Sequence, residues 1–265
     1  MDFIQILALG LIQGITEFLP VSSSGHLVLT SILLGWKDQG LLIDVAAHAG
    51  SLLAVMFYFR KQLHEMLLAI LNPRNPENSQ TLNLIRSIAI ATLPIMLTGL
   101  LFAGFIESHL RSVQVIAGTT IIFALFLAYA DKRAKCERDE YQLSWKAVLF
   151  IGMAQAFALI PGTSRSGVTM TAGLLLGLNR VAAARFSFLL SIPTILAAIL
   201  YKLFQISMTE VQFDWMAIIS IFLISGFVAY LCIEVFIRFV NAIGMMPFVV
   251  YRIILGILLF VFIGF

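Results

Sequence analysis

The chain has 265 residues, 60% of them hydrophobic and 12% charged, with a formal net charge of +3. Soluble domains carry about 25% charged residues, so this composition excludes a water-soluble globule and implies a multi-pass membrane protein. The basic residues fall mostly in short connections between apolar stretches, where membrane topology accounts for them, and this argues against nucleic acid as a partner.

In chain order, residues 1–19 form a first apolar stretch. It begins with Asp2 instead of a basic region and has no small-residue cleavage site, so it is expected to stay in the mature protein. The stretch is interrupted by Gln13-Gly14-Ile15-Thr16-Glu17-Phe18-Leu19-Pro20-Val21-Ser22-Ser23-Ser24-Gly25-His26, and residues 26–35 resume as a second apolar piece. Each piece is shorter than the ~20 residues needed to span a bilayer, so together they read as a re-entrant hairpin. Irregular backbone at that depth is tolerated only where it is buried in protein or lines a wet cavity, so the tip must meet something polar.

Spans are expected at 41–59, 87–106, with a kink at Pro94, and 113–130. The connection at 61–85 reads as a loop with irregular turns over 72–76. The second half repeats the plan: a broken hairpin over 145–179 containing Gln155 and Pro161-Gly162-Thr163-Ser164-Arg165-Ser166-Gly167, then spans at 182–203, 213–237 and 248–265. An odd number of crossings in each half inverts the second relative to the first. The expected fold is therefore all-α, a single polytopic domain over 1–265 with six full spans, built from inverted repeats at 1–138 and 139–265. Cys136 and Cys232 suggest no disulfide framework.

The positive-inside rule places Arg60, Lys61, Arg74, Arg86, Lys132, Arg133, Lys135, Arg138, Lys146, Arg180, Arg185, Arg238 and Arg252 on or near the cytoplasmic side, and Lys37, Arg111 and Lys202 outside. Both termini then face outward, and the two hairpin tips enter from opposite sides and meet near the midplane.

Serines 22–24, and Thr163, Ser164 and Ser166, stand where N-caps belong. Two helix N-termini thus converge on a site for an anionic group, with Gly25 and Gly167 permitting close backbone approach. Arg165 adds a charged fork suited to phosphate oxygens. Gln13 and Glu17 share a helical face. A carboxylate beside phosphate requires a proton or a bridging divalent cation, Mg²⁺ or Ca²⁺, which makes Glu17 the metal-ligand or acid–base candidate. Ser23 and His26, three residues apart, suggest a nucleophile and its base. The plainer readings are a structural ion pair between Glu17 and Arg165, capping roles for Ser22, Ser24 and Ser166, a hydrogen-bond brace at Gln155, and structural or interfacial roles for His48, His64 and His109.

These two motifs resemble the bacterial undecaprenyl-diphosphatase family, also called bacitracin-resistance proteins, in order and over essentially the whole length. The resemblance implies a phosphatase of the bacterial cytoplasmic membrane. It would release the terminal phosphate of undecaprenyl diphosphate, regenerate the lipid carrier for peptidoglycan and other envelope polymers, and confer bacitracin resistance. By motif position it implies catalytic roles for Glu17, Ser23, His26 and Arg165, and substrate contacts from Gln13, Ser22, Ser24, Gly25, Ser164, Ser166, Gly167 and Thr169. Many members have glutamate where this chain has Gln13, which shifts metal binding mainly onto Glu17. The site would be reached from the outer face. Water or Ser23 can be the attacking group, and a homodimer is compatible with this reading. The alternative is a transporter or flippase of a polyprenyl phosphate or another anionic substrate, since inverted repeats with broken helices also build transporters.

Overall fold

In hydrocarbon each backbone polar group must be satisfied within its own segment, so long apolar runs become helices. The computed structural model follows that rule: it describes residues 2–36, 40–134, 137–208 and 214–262, and these are helical apart from turns, connections and one isolated bridge between Arg138 and Leu178. The first apolar stretch is broken into α1 (Phe3–Thr16) and α2 (Ser23–Leu33). α3 (Leu41–Tyr58) and α4 (Arg60–Leu71) follow, then α5 (Ser79–His109) and α6 (Val113–Arg133). The second broken stretch is α7 (Trp145–Ala156), a 3₁₀ turn at Phe157–Leu159 and α8 (Arg165–Leu175). Finally come α9 (Arg180–Ser207), α10 (Trp215–Ile243) and α11 (Met246–Phe262).

Helices α3, α5, α6, α9 and α10 are long and apolar enough to cross a membrane. The sixth expected span, 248–265, is the shorter apolar helix α11: its 17 residues rise only about 25 Å, and residues 263–265 lie outside the described residues. So do Lys37, Lys135, Cys136 and the expected start of the fifth span at 213. The connection at 61–85 departs more from expectation. It is largely helical: α4 buries Gln62, Met66 and Ala69 at helical spacing on one face, while Arg60 and Lys61 of its first turn, and Leu67 and Ile70, stay exposed. Only residues 72–75 are irregular before a 3₁₀ turn at Pro76–Asn78 leads into α5.

The packing pairs α10 with both α3 and α1, α5 with both α7 and α9, α6 with both α8 and α11, and α3 with α9. Apolar side chains gain little by leaving lipid, so close helix contact depends on small residues and interhelical hydrogen bonds. Where α3 crosses α10, a Cβ on Gly50 would overlap Phe222 O and Ser225 Oγ, and Ser225 Oγ donates to Ala47 O at 2.9 Å. The outside is apolar, with Leu101 76% and Phe227 68% exposed, as a lipid-facing surface requires. At one end of the helices, Arg180 pairs with Asp131 at 2.7 Å and Arg185 with Glu140 at 2.6 Å, tying the start of α9 to the end of α6 and to the connection that follows it.

Candidate active site

The two helix breaks are built alike. Ser22 and Ser164 are the two non-glycine residues with positive φ among the described residues, at 76° and 70°. Each stands nine residues after a buried glutamine, Gln13 or Gln155, and caps the helix that follows: Gly25 N–H donates to Ser22 Oγ at 3.4 Å and Gly167 N–H to Ser164 Oγ at 3.1 Å. A left-handed non-glycine residue costs about 1–2 kcal/mol, so each break is held by its surroundings.

What holds them is largely Arg252. Its guanidinium donates to Pro20 O at 3.2 Å in the first tip, to Gly162 O and Thr163 O at 2.9 Å in the second, and to Thr120 O at 3.2 Å in α6. Ser166 Oγ adds a bond to Leu19 O at 2.8 Å, and Thr119 Oγ1 one to Pro161 O at 2.6 Å. Gly162, at φ 88°, has no room for a side chain because a Cβ would strike Thr119 Oγ1 and Ile116 O. Arg252 was expected near the cytoplasmic surface and is instead fully buried. Seven residues into α11, it meets a knot of backbone carbonyls that α1, α7 and α8 cannot satisfy where their helices are broken.

The junction gathers four of the expected residues around one carboxylate. Glu17, 7% exposed, accepts from Ser23 Oγ at 2.7 Å and Gln13 Nε2 at 3.0 Å through Oε2, and from Arg165 Nη2 at 3.2 Å through Oε1. Arg165 also donates to Ser187 O at 3.2 Å. The Glu17–Arg165 pair thus spans the two halves, as an ion pair between α1 and α8. A fifth residue enters from α3: His48 Nε2 lies 3.8 Å from Glu17 Oε2.

Other expectations need correction. His26 does not meet Ser23: its Nδ1 contacts Ser22 O at 2.7 Å, its Nε2 contacts Tyr251 Oη, and its ring stacks on Tyr251. Helix α2 starts at Ser23 itself, so a side chain in its first turn folds back on the carbonyl four residues earlier, and Ser23 turns to Glu17. The N–H groups of Gly25 and Gly167, where close backbone approach was expected, are taken by the serine caps, so the N–H groups without an intrahelical acceptor belong to Ser23, Ser24, Arg165 and Ser166. Thr169 faces away from the carboxylate cluster, buried with its Oγ1 on Arg165 O at 2.9 Å and Ser187 Oγ at 2.7 Å, where it braces the arginine's neighbourhood. Ser164 and Ser166 are buried in the caps and the inter-tip bond, whereas Ser24 is exposed. Gln155 braces α7, donating to Ala91 O and accepting from Thr194 Oγ1.

The donor set suits a hard cation. Gln13 Oε1 is buried and has no hydrogen-bond partner; its amide turns Nε2 to Glu17 Oε2 at 3.0 Å, so a rotation of the amide would bring that oxygen to the carboxylate that Ser23 Oγ touches. Three oxygens of carboxylate, amide and hydroxyl type fit Mg²⁺ or Ca²⁺ chemistry, although among the described residues no three His, Cys, Asp or Glu side chains cluster as a self-sufficient metal cage.

The sequence matches the family described as Bacitracin resistance protein BacA over residues 6–258. This chain belongs to that family. The matched segment takes in every residue of the junction, from Gln13 to Arg252. Similar proteins include an undecaprenyl-diphosphatase from Nitrosococcus oceani, 52% identical over 98% of both chains, and undecaprenyl-diphosphatase 1 from Pseudoalteromonas translucida, 49% identical over 99% of both. A further undecaprenyl-diphosphatase, from Alteromonas mediterranea, is 50% identical over 99% of both chains. The chain is a multi-pass membrane protein of a bacterial family.

Proposed function

We infer that this protein is an undecaprenyl-diphosphatase that confers bacitracin resistance, and that the junction of the two helix breaks is its active site. One observation carries the assignment of the site: Glu17, Ser23 and Arg165, from segments nearly 150 residues apart, share a single buried carboxylate contact network. An anionic headgroup fits there because the starts of α2 and α8 present backbone N–H groups and the positive ends of their dipoles.

In this reading the terminal phosphate of the lipid diphosphate lies against Arg165, whose fork turns from Glu17 Oε1 to phosphate oxygens. Ser23 Oγ attacks the terminal phosphorus and its proton passes to Glu17, the acceptor already 2.7 Å away. The bond between phosphorus and the bridging oxygen breaks, undecaprenyl phosphate leaves, and water then releases the phosphoryl group from Ser23 as inorganic phosphate. Arg165 and the helix N-termini stabilise the charge that develops on the equatorial oxygens. Gln13 and Glu17 would hold a divalent cation, which when bound neutralises phosphate charge that would otherwise repel Glu17. His26 is fixed by Ser22 O and Tyr251 at the outer rim of the first tip, a positioning role.

The inverted-repeat architecture is supported by the packing. If α1, α2, α3, α5 and α6 correspond to α7, α8, α9, α10 and α11, the pairs α1·α10 and α7·α5 exchange, α3·α10 and α9·α5 exchange, and α3·α9 and α6·α11 map onto themselves. With α11 as a short sixth crossing, the loop charges orient the chain in the bacterial cytoplasmic membrane with the 131–144 connection inside and the site open to the outer face.

Broken helices and inverted repeats also suit a transporter. The two readings separate in detergent, where no sealed membrane exists: purified protein is expected to release phosphate from undecaprenyl diphosphate, and tight binding of the lipid with no release would favour translocation.

A further inference from the structure

His48 brings a nitrogen to the carboxylate cluster, and the hydrogen bond at the other side of its ring fixes where one proton sits. Its Nδ1 lies 2.8 Å from Asp44 O, and Asp44 is itself held by Lys202 at 3.2 Å. A carbonyl only accepts, so Nδ1 carries a proton, and in the neutral ring, the form a metal ligand takes, Nε2 is then a lone pair. That lone pair faces Glu17 Oε2 across 3.8 Å, beyond hydrogen-bond reach. One turn back on α1, buried Gln13 Oε1 also lacks a donor.

We propose that His48 Nε2 and Glu17 form a divalent-cation site in which His48 is the nitrogen ligand, joined by Gln13 Oε1 once the Gln13 amide, whose Nε2 faces Glu17 Oε2 at 3.0 Å, turns over. The proposal rests on the cation reading given above and deepens it. Two ligands each ~2.0–2.4 Å from one ion span a gap of this size. Donation of the other ring N–H to a backbone carbonyl is the arrangement that fixes the tautomer of metal-bound imidazoles. A mixed oxygen and nitrogen set also shifts preference from Ca²⁺ towards first-row cations such as Mn²⁺. The competing account makes His48 an imidazolium paired with Glu17. The two differ in sign: removing a ligand weakens cation binding, whereas removing a positive charge strengthens it.

The test is Mn²⁺ titration of chelator-treated, purified full-length protein in detergent, read by electron paramagnetic resonance, for the wild type, His48→Gln, His48→Ala and Glu17→Gln. Wild type is expected to bind Mn²⁺ with pulsed-resonance modulation from an imidazole ¹⁴N. Both His48 variants, checked for unchanged melting temperature, should lose that modulation and bind Mn²⁺ about tenfold or more weakly, with a smaller loss for competing Ca²⁺. If His48→Ala fails to fold, His48→Gln carries the test. Mn²⁺ bound through Glu17 with no nitrogen modulation, or equal or tighter binding by the His48 variants, overturns the His48 assignment and leaves the cation reading intact. Wild type that binds no Mn²⁺ and no Ca²⁺ removes the cation reading and this proposal together.

Discussion

Replacing Arg252 by Met removes a side chain from α11 that bonds the backbone of both helix breaks, while keeping a long apolar stem there. Four donated bonds disappear, at 2.9 to 3.2 Å. Thr120 O lies inside helix α6, and Gly162 O retains a contact from Thr120 Oγ1 at 3.4 Å, so Pro20 O and Thr163 O bear most of the loss. A buried polar group left unsatisfied costs about 1–3 kcal/mol, which gives ~2–6 kcal/mol for the two. Burying a guanidinium with no carboxylate partner is itself costly, and relief of that cost brings the expected loss to about 2–4 kcal/mol. For a chain of this size this is a fall in melting temperature on the order of 5–15 °C. The fraction that remains folded should turn over about 10²-fold more slowly, because displacement of reacting groups by about 1 Å costs that much. Arg252→Lys should fall between, since one ammonium cannot reach carbonyls in three segments. The assay is thermal unfolding in detergent beside phosphate release from a polyprenyl diphosphate. Arg252→Met with wild-type melting temperature and turnover would refute the clamp.

Chelation with EDTA should abolish phosphate release, and Glu17→Gln should do so nearly as fully; full activity after thorough chelation would leave Glu17 acting as acid or base alone. Ser23→Ala should lose about 10²-fold or more in turnover, whereas His26→Ala, which removes a ring held by Ser22 O and Tyr251, should lose less; the reverse order in a steady-state assay would restore His26 as the base. Cysteine labelling in intact cells should find the 131–144 connection inside; labelling from outside would break the proposed orientation.

Much of this site can be read along the chain because its signals are local. Glu17, the serines and Arg165 interrupt apolar runs, and such interruptions are costly at membrane depth unless they serve a purpose. His48 and Arg252 carry the same kind of signal more faintly. Each is a polar residue in a largely apolar helix, and the loop-charge count takes in Arg252 although it stands well inside α11. Their partners lie at the end of α1, in the two tips and on α6, so only the packing of α3 and α11 reveals their place. The Ser23–His26 pairing failed for a local reason, the onset of α2 at Ser23, which points the imidazole back at Ser22 O. Helix α4 was missed because its basic first turn resembles a loop, although its apolar residues keep helical spacing.

The central claim is that one active centre forms where the two helix breaks meet, and Arg165 tests it most directly. Its Nη2 joins Glu17 across the halves at 3.2 Å, and it is assigned to phosphoryl oxygens during turnover. Phosphate release from a polyprenyl diphosphate should be measured for Arg165→Ala and Arg165→Lys, each purified in detergent and shown to be folded. Removing one preorganised electrostatic donor costs ~10²–10³ in turnover, so Arg165→Ala should fall at least that far, and Arg165→Lys should recover little because a point charge does not replace a bidentate fork. Well-folded Arg165→Ala turning over at near the wild-type rate would contradict the account and leave the Glu17–Arg165 pair as a structural contact.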